Sequence, residues 1–270
     1  MENSLNKEKP EVRLRAFRAI DEPKTCALFV EGHTQVLTSI GVTKVTSSKN
    51  EWTSNPAAFV MVVESLDGEK LYGGVRLHVA GGSEPLPIEQ ATGMMDPAVF
   101  DLVWAYAQHG TGELCGLWNS REIAGYGVGS IFLSRVCVAI ATQVGLQSMF
   151  ALGAPYTVQM ALNIGYVIEE SIGNKGTFYY PKLDLLATTL ILKDLETLNK
   201  ATEEDRTAIF RLRDNLNQAR IEKLRNKEIK IHYEIEIPDL DKWSLNDTIF
   251  NAKKTFLKKK INTEEINFLA

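Results

Sequence analysis

Gly112-Glu113-Leu114-Cys115-Gly116-Leu117-Trp118-Asn119-Ser120, followed by Arg121-Glu122-Ile123-Ala124-Gly125-Tyr126-Gly127-Val128-Gly129-Ser130, is the stretch whose reading decides the fold. Its first half reads as a short apolar strand, and Ile131 to Ala141 beyond the glycines reads as a helix. Gly125, Gly127 and Gly129 stand where the strand gives way to that helix. The first turn of a helix leaves several N–H groups without intrahelical partners, and glycines let phosphate oxygens approach them closely. Strand, glycine loop and helix together can cradle a pyrophosphate, although such turns also arise from backbone geometry alone. Two common phosphate motifs do not fit. A dinucleotide fingerprint needs Gly-x-Gly-x-x-Gly and an acid about 20 residues on, whereas these glycines alternate and the next strand, Gln147 to Gly153, ends without one. A nucleoside-triphosphate loop needs a lysine that Gly129-Ser130 lacks.

The segments that follow sharpen the reading. The helix stops near Gly145. Ser148 to Leu152 reads as a strand, Pro155 to Asn163 as a short helix, and Ile164-Gly165-Tyr166-Val167-Ile168 as another strand. This order resembles the Gcn5-related N-acyltransferase superfamily, whose acyl-thioester loop, Gln/Arg-x-x-Gly-x-Gly/Ala, would fall on Ala124 to Ser130 and whose Gly-Phe or Gly-Tyr strand start would fall on Gly165-Tyr166. Upstream, Gly73-Gly74-Val75-Arg76-Leu77 matches the Gly-x-x-Arg-Leu hairpin of the acyl-homoserine-lactone synthases and long-chain N-acyl amino acid synthases. Their strand glutamate matches Glu113. The chain departs from the pattern at Ala124, the loop's first position; at Ala154, where the family often has asparagine; and at Ala161, where its tyrosine general acid usually stands. Cys115-Gly116 replaces a usual Ser-Arg.

The resemblance implies an α/β (α+β) three-layer fold with a mixed, mostly antiparallel central sheet. Residues 1–194 would form the acyltransferase domain, and 195–270 a C-terminal helix-strand-helix extension. It also implies an N-acyltransferase that moves an acyl group from acyl-CoA or an acyl-phosphopantetheine carrier protein to the amine of a small acceptor such as an amino acid. The alternative is a catalytically silent module that binds an acyl thioester or a protein partner, which the alanines at 124, 154 and 161 favour.

Composition bounds these readings. The 270 residues are 44% apolar and 24% charged, enough for a proper core. The net charge of −4 argues against general affinity for nucleic acid. Cys26, Cys115 and Cys137 are few, odd in number and not in metal spacing, and His33, His78, His109 and His232 form no His-x-x-x-His pair, so no metal is expected. The first ten residues are polar without an apolar signal core, and no apolar run of about 18 residues occurs, so no membrane span and a cytoplasmic location are expected.

Along the chain, Val12 to Ile20 alternates as a half-buried strand. Asp21-Glu22-Pro23 opens a helix to about Ile40, with Phe29, His33, Val36, Leu37 and Ile40 inward. His33 there reads as a core histidine before it reads as a ligand. Residues 43–56 read as a long loop in which Trp52 serves as a core plug or a lid. A hairpin turns through Asp67-Gly68. Glu84 to Glu89 reads as a connector, and Asp96-Pro97 starts a helix to Gln108. Gly173 to Gly176 turns the Tyr166–Ser171 stretch back into Thr177 to Tyr180, and Leu185 to Leu192 completes a sheet of about seven strands. Thr202-Glu203-Glu204-Asp205 caps a helix extending to about Arg225, Ile229 to Ile237 alternates as a strand, and Asn246 to Lys260 forms a final helix. The Lys258-Lys259-Lys260 run reads as a solvated helix end or a dock for an acidic carrier protein. The C-terminal segment would serve as a pocket lid or as the arm of a homodimer.

Thioester aminolysis needs a fixed donor, a base for the amine's proton and dipoles aimed at the oxyanion. The donor would lie along the backbone of Leu117, Trp118 and Asn119 and on Gly125, Tyr126, Gly127, Val128, Gly129 and Ser130. Glu113 on its apolar strand is the candidate base, or else an ordinary surface carboxylate at the sheet edge. Arg76, mid-strand among apolar neighbours, is either a member of a structural ion pair or a holder of a carboxylate or phosphate. Tyr156, at the start of the helix after the fifth strand, is the candidate acid for the leaving thiolate.

Overall fold

We describe residues 10–42 and 50–268 of the computed structural model, with side chains as far as Lys258. The chain runs β1 (Glu11–Arg18), α1 (Pro23–Ser39), β2 (Ala58–Glu64), β3 (Leu71–Val79), α2 (Pro87–Thr92), α3 (Ala98–Ala107), β4 (Thr111–Asn119), α4 (Leu133–Ala141), β5 (Ser148–Gly153) and α5 (Pro155–Ile164). It continues through β6 (Val167–Ile168), β7 (Thr177–Tyr179), β8 (Leu186–Leu192), α6 (Glu203–Asp214), β9 (Asn217–Leu224), β10 (Lys227–Glu234) and α7 (Leu245–Phe268). The strands form one ten-stranded sheet in the order β6-β8-β5-β4-β3-β2-β1-β10-β9, with β7 also on β8. Among the described residues only β1/β10 and β4/β5 pair in parallel. A mixed, mostly antiparallel sheet between helices is the expected class.

Strand alternation sorts side chains onto two faces. Val12, Leu14, Met61, Val63, Val75, Leu77 and Met149 form one core with α4. All nine residues of α4 are buried, Ser134 and Arg135 among them. Its one charge, Arg135, is neutralised by Asp205 at 2.7 Å and Glu204 at 3.0 Å from α6. The opposite face meets α1, α2 and α3 through Phe29, Trp52 and Trp118 in one cluster and Ile88, Val99, Val103 and Phe150 in another. At its β1 end, buried Glu64 accepts from Arg13 Nε at 2.7 Å and Arg15 Nε at 2.6 Å.

Several expectations are met in detail. Pro23 opens α1, and Thr202 Oγ1 caps α6 by accepting from the Asp205 N–H at 3.3 Å. Others are corrected. The helix expected to run to Arg225 ends at Asp214, because Asn217 to Leu224 alternates half-buried and exposed and pairs antiparallel with β10. Pairing with a neighbouring strand here outweighs the helical spacing of Leu216 and Ala219. This strand and β10 join the same sheet, which has ten strands where about seven were expected. The β6 and β7 stretches do not pair with each other; both lie on β8. The connector at Glu84 to Glu89 holds the start of α2, where Pro87 is the first helical residue and Glu89 Oε2 accepts from the Leu86 N–H at 2.8 Å. Ile40, expected inward, is 54% exposed just past the end of α1. Residues 43–49 of the expected long loop lie outside the described residues; Glu51–Ser54 form a 3-10 turn that buries Trp52.

Candidate active site

The sheet opens at β4. This strand pairs with β5 from Thr111/Ser148 to Leu114/Ala151 and no further. Beyond that point β5 keeps only β8, through Leu152/Thr189 and Gly153/Thr188, while β4 keeps only β3, through Cys115, Trp118 and Asn119. A bulge accompanies the opening: Arg76 faces Cys115 and Gly74 faces Trp118, so β4 carries one extra residue, and Gly116 takes a φ of +61° to accommodate it. The bulge also switches the strand's alternation, which is why Trp118 joins Phe29 and Trp52 on the α1 face. From Cys115 to Asn119 the backbone edge of β4 toward β5 has no strand partner among the described residues. The expected donor-binding residues Leu117, Trp118 and Asn119 all lie on it.

The glycine loop follows directly. Gly125 and Gly127 both have left-handed φ, +83° and +79°. The Phe132 N–H donates to the Gly127 carbonyl at 3.0 Å, so the chain enters α4 through a single π turn, Val128–Phe132. Ala124 and Gly125 are exposed, Tyr126 and Ser130 are half-buried, and Gly127, Val128 and Gly129 are buried. Each glycine admits a close neighbour. A Cβ on Gly129 would lie 2.0 Å from Asn119 Oδ1, one on Gly127 2.9 Å from Leu224 Cδ2, and one on Gly125 3.0 Å from Lys227 Nζ. Asn119 Oδ1 is itself buried without a hydrogen-bond partner.

Glu113 sits one residue before the last β4/β5 pair, opposite Phe150 on β5 and His78 on β3. It is 2% exposed, so it is not a surface carboxylate. Its Oε2 accepts from the Ile88 N–H in the first turn of α2 at 2.7 Å. Burial drives its pKa up to about 8; the Ile88 hydrogen bond lowers it, Glu89 raises it and the Arg76 charge lowers it. The carboxyl therefore changes charge near neutral pH, in the range where a base for an amine is effective. Arg76 is 1% exposed, with its guanidinium carbon 4.3 Å from the centre of the Trp52 ring and 5.7 Å from that of Phe29. Trp52 thus packs on Arg76.

The structure brings Arg76 within electrostatic reach of Glu113, and the glycine loop meets the far end of β4, where Gly129 packs on Asn119. Tyr156 is 78% exposed at the start of α5. Sequence reasoning missed one group on the same face, His78, and read another, His33, as a core histidine. His78 is buried with Nε2 unpartnered, and burial holds it neutral, its pKa well below the usual imidazole range. His33 packs edge-on to Phe29, and burial and then Arg76 lower its pKa to about 4. The sequence signal for His78 was its place two residues after Arg76 on the same strand face. Among the described residues no group of three His, Cys, Asp or Glu is placed to hold a metal, and no helix is long and apolar enough to cross a membrane. A cavity of about 260 Å³ lined by Gly165, Val167, Lys193, Asp194, Asn199 and Lys200 lies at the β6 edge, beyond β5 and β8 from Glu113, and gathers none of the candidate residues.

No protein-family model and no curated protein matches the sequence. Solved structures do match the fold. FeeM, an N-acyl amino acid synthase from uncultured soil microbes, aligns over 74% of this chain and 99% of its own at 16% identity, with a TM-score of 0.55. BjaI, a CoA-dependent acyl-homoserine lactone synthase solved with SAM and isopentyl-CoA, aligns over 90% of this chain and 99% of its own at 10% identity, with a TM-score of 0.50. The chain shares the fold of these two synthases.

Proposed function

We propose that the chain is an N-acyltransferase that takes an acyl group from an acyl thioester, acyl-CoA or acyl-carrier protein, and delivers it to the amine of a small acceptor such as an amino acid. One observation carries this reading: β4 and β5 separate just after a buried carboxyl, whose pKa burial pushes up to about 8, and the strand leads straight into the glycine loop. The fold shared with FeeM and BjaI supports it.

In this reading the pantetheine arm enters where β5 leaves β4 and pairs with the backbone of Leu117, Trp118 and Asn119, where the unpartnered Asn119 Oδ1 offers an acceptor. Its phosphates meet the loop from Gly125 to Ser130. Ionised Glu113 takes a proton from the acceptor's ammonium, directly or through a water, and the free amine attacks the thioester carbonyl carbon. The C–N bond forms, the C–S bond breaks, and the thiolate leaves to be protonated. Arg76 acts through its charge on Glu113, keeping the carboxyl's pKa below the value that burial alone would set. Tyr156 keeps its role as acid for the thiolate only if α5 turns its phenol inward when the donor binds.

The test is release of free thiol from acyl-CoAs of graded chain length, with and without amino acids. Amine-dependent release supports the reading. Thermal stabilisation by acyl-CoA without release for any amine supports the silent binding module.

A further inference from the structure

The hairpin of β9 and β10 brings its turn onto the glycine loop. Lys227, the first residue of β10, donates from Nζ to the Ala124 carbonyl at 3.0 Å, and Nζ stands 4.5 Å from the centre of the Tyr126 ring. The loop is shaped for it: Gly125 lacks the Cβ that would stand 3.0 Å from that ammonium, and Gly127 lacks the one that would press on Leu224, at the other end of the same turn. The nearby carboxylate Glu122 is engaged by Lys70 at 2.7 Å, and among the described residues no carboxylate pairs with Lys227. An ammonium with one carbonyl and one ring face has hydrogen-bonding capacity left over. It sits beside the exposed Ala124-Gly125 end of the loop. Lysine commonly binds phosphate as a point charge.

Resting on the donor site proposed above, we infer that Lys227 supplies a fixed positive charge to a phosphate of the acyl donor, so that the C-terminal hairpin belongs to that site. The ligand chemistry is a phosphate ester. Free CoA, with its pyrophosphate, and the single phosphodiester of a carrier protein are its two sources. No covalent step is involved. The role is one of donor recognition, and it gives residues beyond 194 a share in selecting the substrate.

The experiment compares donors that share a thioester and differ in phosphate. Acyl-CoA, acyl-carrier protein and acyl-pantetheine, which has no phosphate, are turned over by the wild type, Lys227→Met and Lys227→Arg. The ratio of kcat/KM for acyl-CoA to that for acyl-pantetheine is expected to fall about fivefold in K227M, the size of one partly exposed charge contact, and to recover in K227R. Whichever of the two phosphate-bearing donors loses more identifies the source of the phosphate. Equal losses with all three donors would make Lys227 a structural prop for the loop and overturn the inference, as would no loss with either phosphate donor. If the wild type itself handles acyl-pantetheine as well as acyl-CoA and acyl-carrier protein, phosphate binding at the glycine loop fails independently of Lys227. No turnover of any donor refutes the acyltransferase reading.

Discussion

The two faces of the central sheet are built to different rules. Toward α4, β3 presents Val75 and Leu77, which lie fully buried in an apolar core. Toward α1 and α2 the same strand presents Arg76 and His78, opposite Cys115 and Glu113 of β4 and equally buried. Burying a charge or an unpartnered polar atom costs stability that apolar residues of similar volume would not. One face is therefore optimised for packing, and the other bears a cost that packing does not explain. The contrast teaches that the second face is where to look for chemistry.

Breaking each face should have opposite consequences. On the polar face, Glu113→Gln should lower kcat by about a hundredfold or more, the usual contribution of a general base, while leaving the melting temperature at neutral pH unchanged or higher. Steady-state kinetics beside a thermal melt checks both. On the apolar face, Leu77→Ala should cost about 2–5 kcal/mol in a denaturant titration, with the kcat of the remaining folded protein preserved. If the two variants behaved alike, the distinction between the faces would be lost.

pH sharpens the contrast. With its pKa raised to about 8, Glu113 is protonated in the folded protein where the unfolded chain, at an ordinary carboxylate pKa, is already ionised. Its contribution is complete below the unfolded pKa and is lost as pH rises through the folded one. Wild-type stability should thus decline relative to E113Q from about pH 4.5 to 8, at up to about 1.4 kcal/mol per pH unit. Parallel stability curves for the two proteins would contradict the burial of Glu113. Removing the neighbouring charge in Arg76→Met should move the acid limb of the pH-rate profile upward by up to about one unit, since a cation nearby holds the carboxylate pKa down. The smallest effect lies at His33, neutral when folded with a pKa near 4. Its contribution is complete above the ordinary imidazole pKa and lost as pH falls toward 4, so His33→Leu should flatten the decline in stability between about pH 6.5 and 4.

Much of the fold was legible because its signals are local. The alternation of Val12 to Arg18, Pro23 at the start of α1, Asp67-Gly68 in the hairpin and the glycines at 125, 127 and 129 each follow from a residue's own backbone preference. β9 was missed because Ile209, Leu212, Leu216 and Ala219 keep helical spacing across its start, and only the partner strand β10 decides the outcome. α2 was hidden by Pro85 and Pro87, which read as punctuation, yet its first turn supplies the N–H that holds Glu113. Glu113 and Arg76 could be named from sequence as oddly placed charges. That a bulge at Gly116 and the end of the β5 ladder would open the sheet beside them depends on pairings far apart in the chain. The packing of Lys227 on the loop, across a separation of about a hundred residues, had no sequence signal at all.

The most direct test of the central claim is the rate of thiol release from an acyl-CoA in the presence of an amino acid, followed from pH 6 to 9 with the wild-type chain. The account predicts release that requires the amine and climbs through an apparent pKa near 8, the value burial gives Glu113. Release that ignores the amine, or a rate flat across that range, would contradict it.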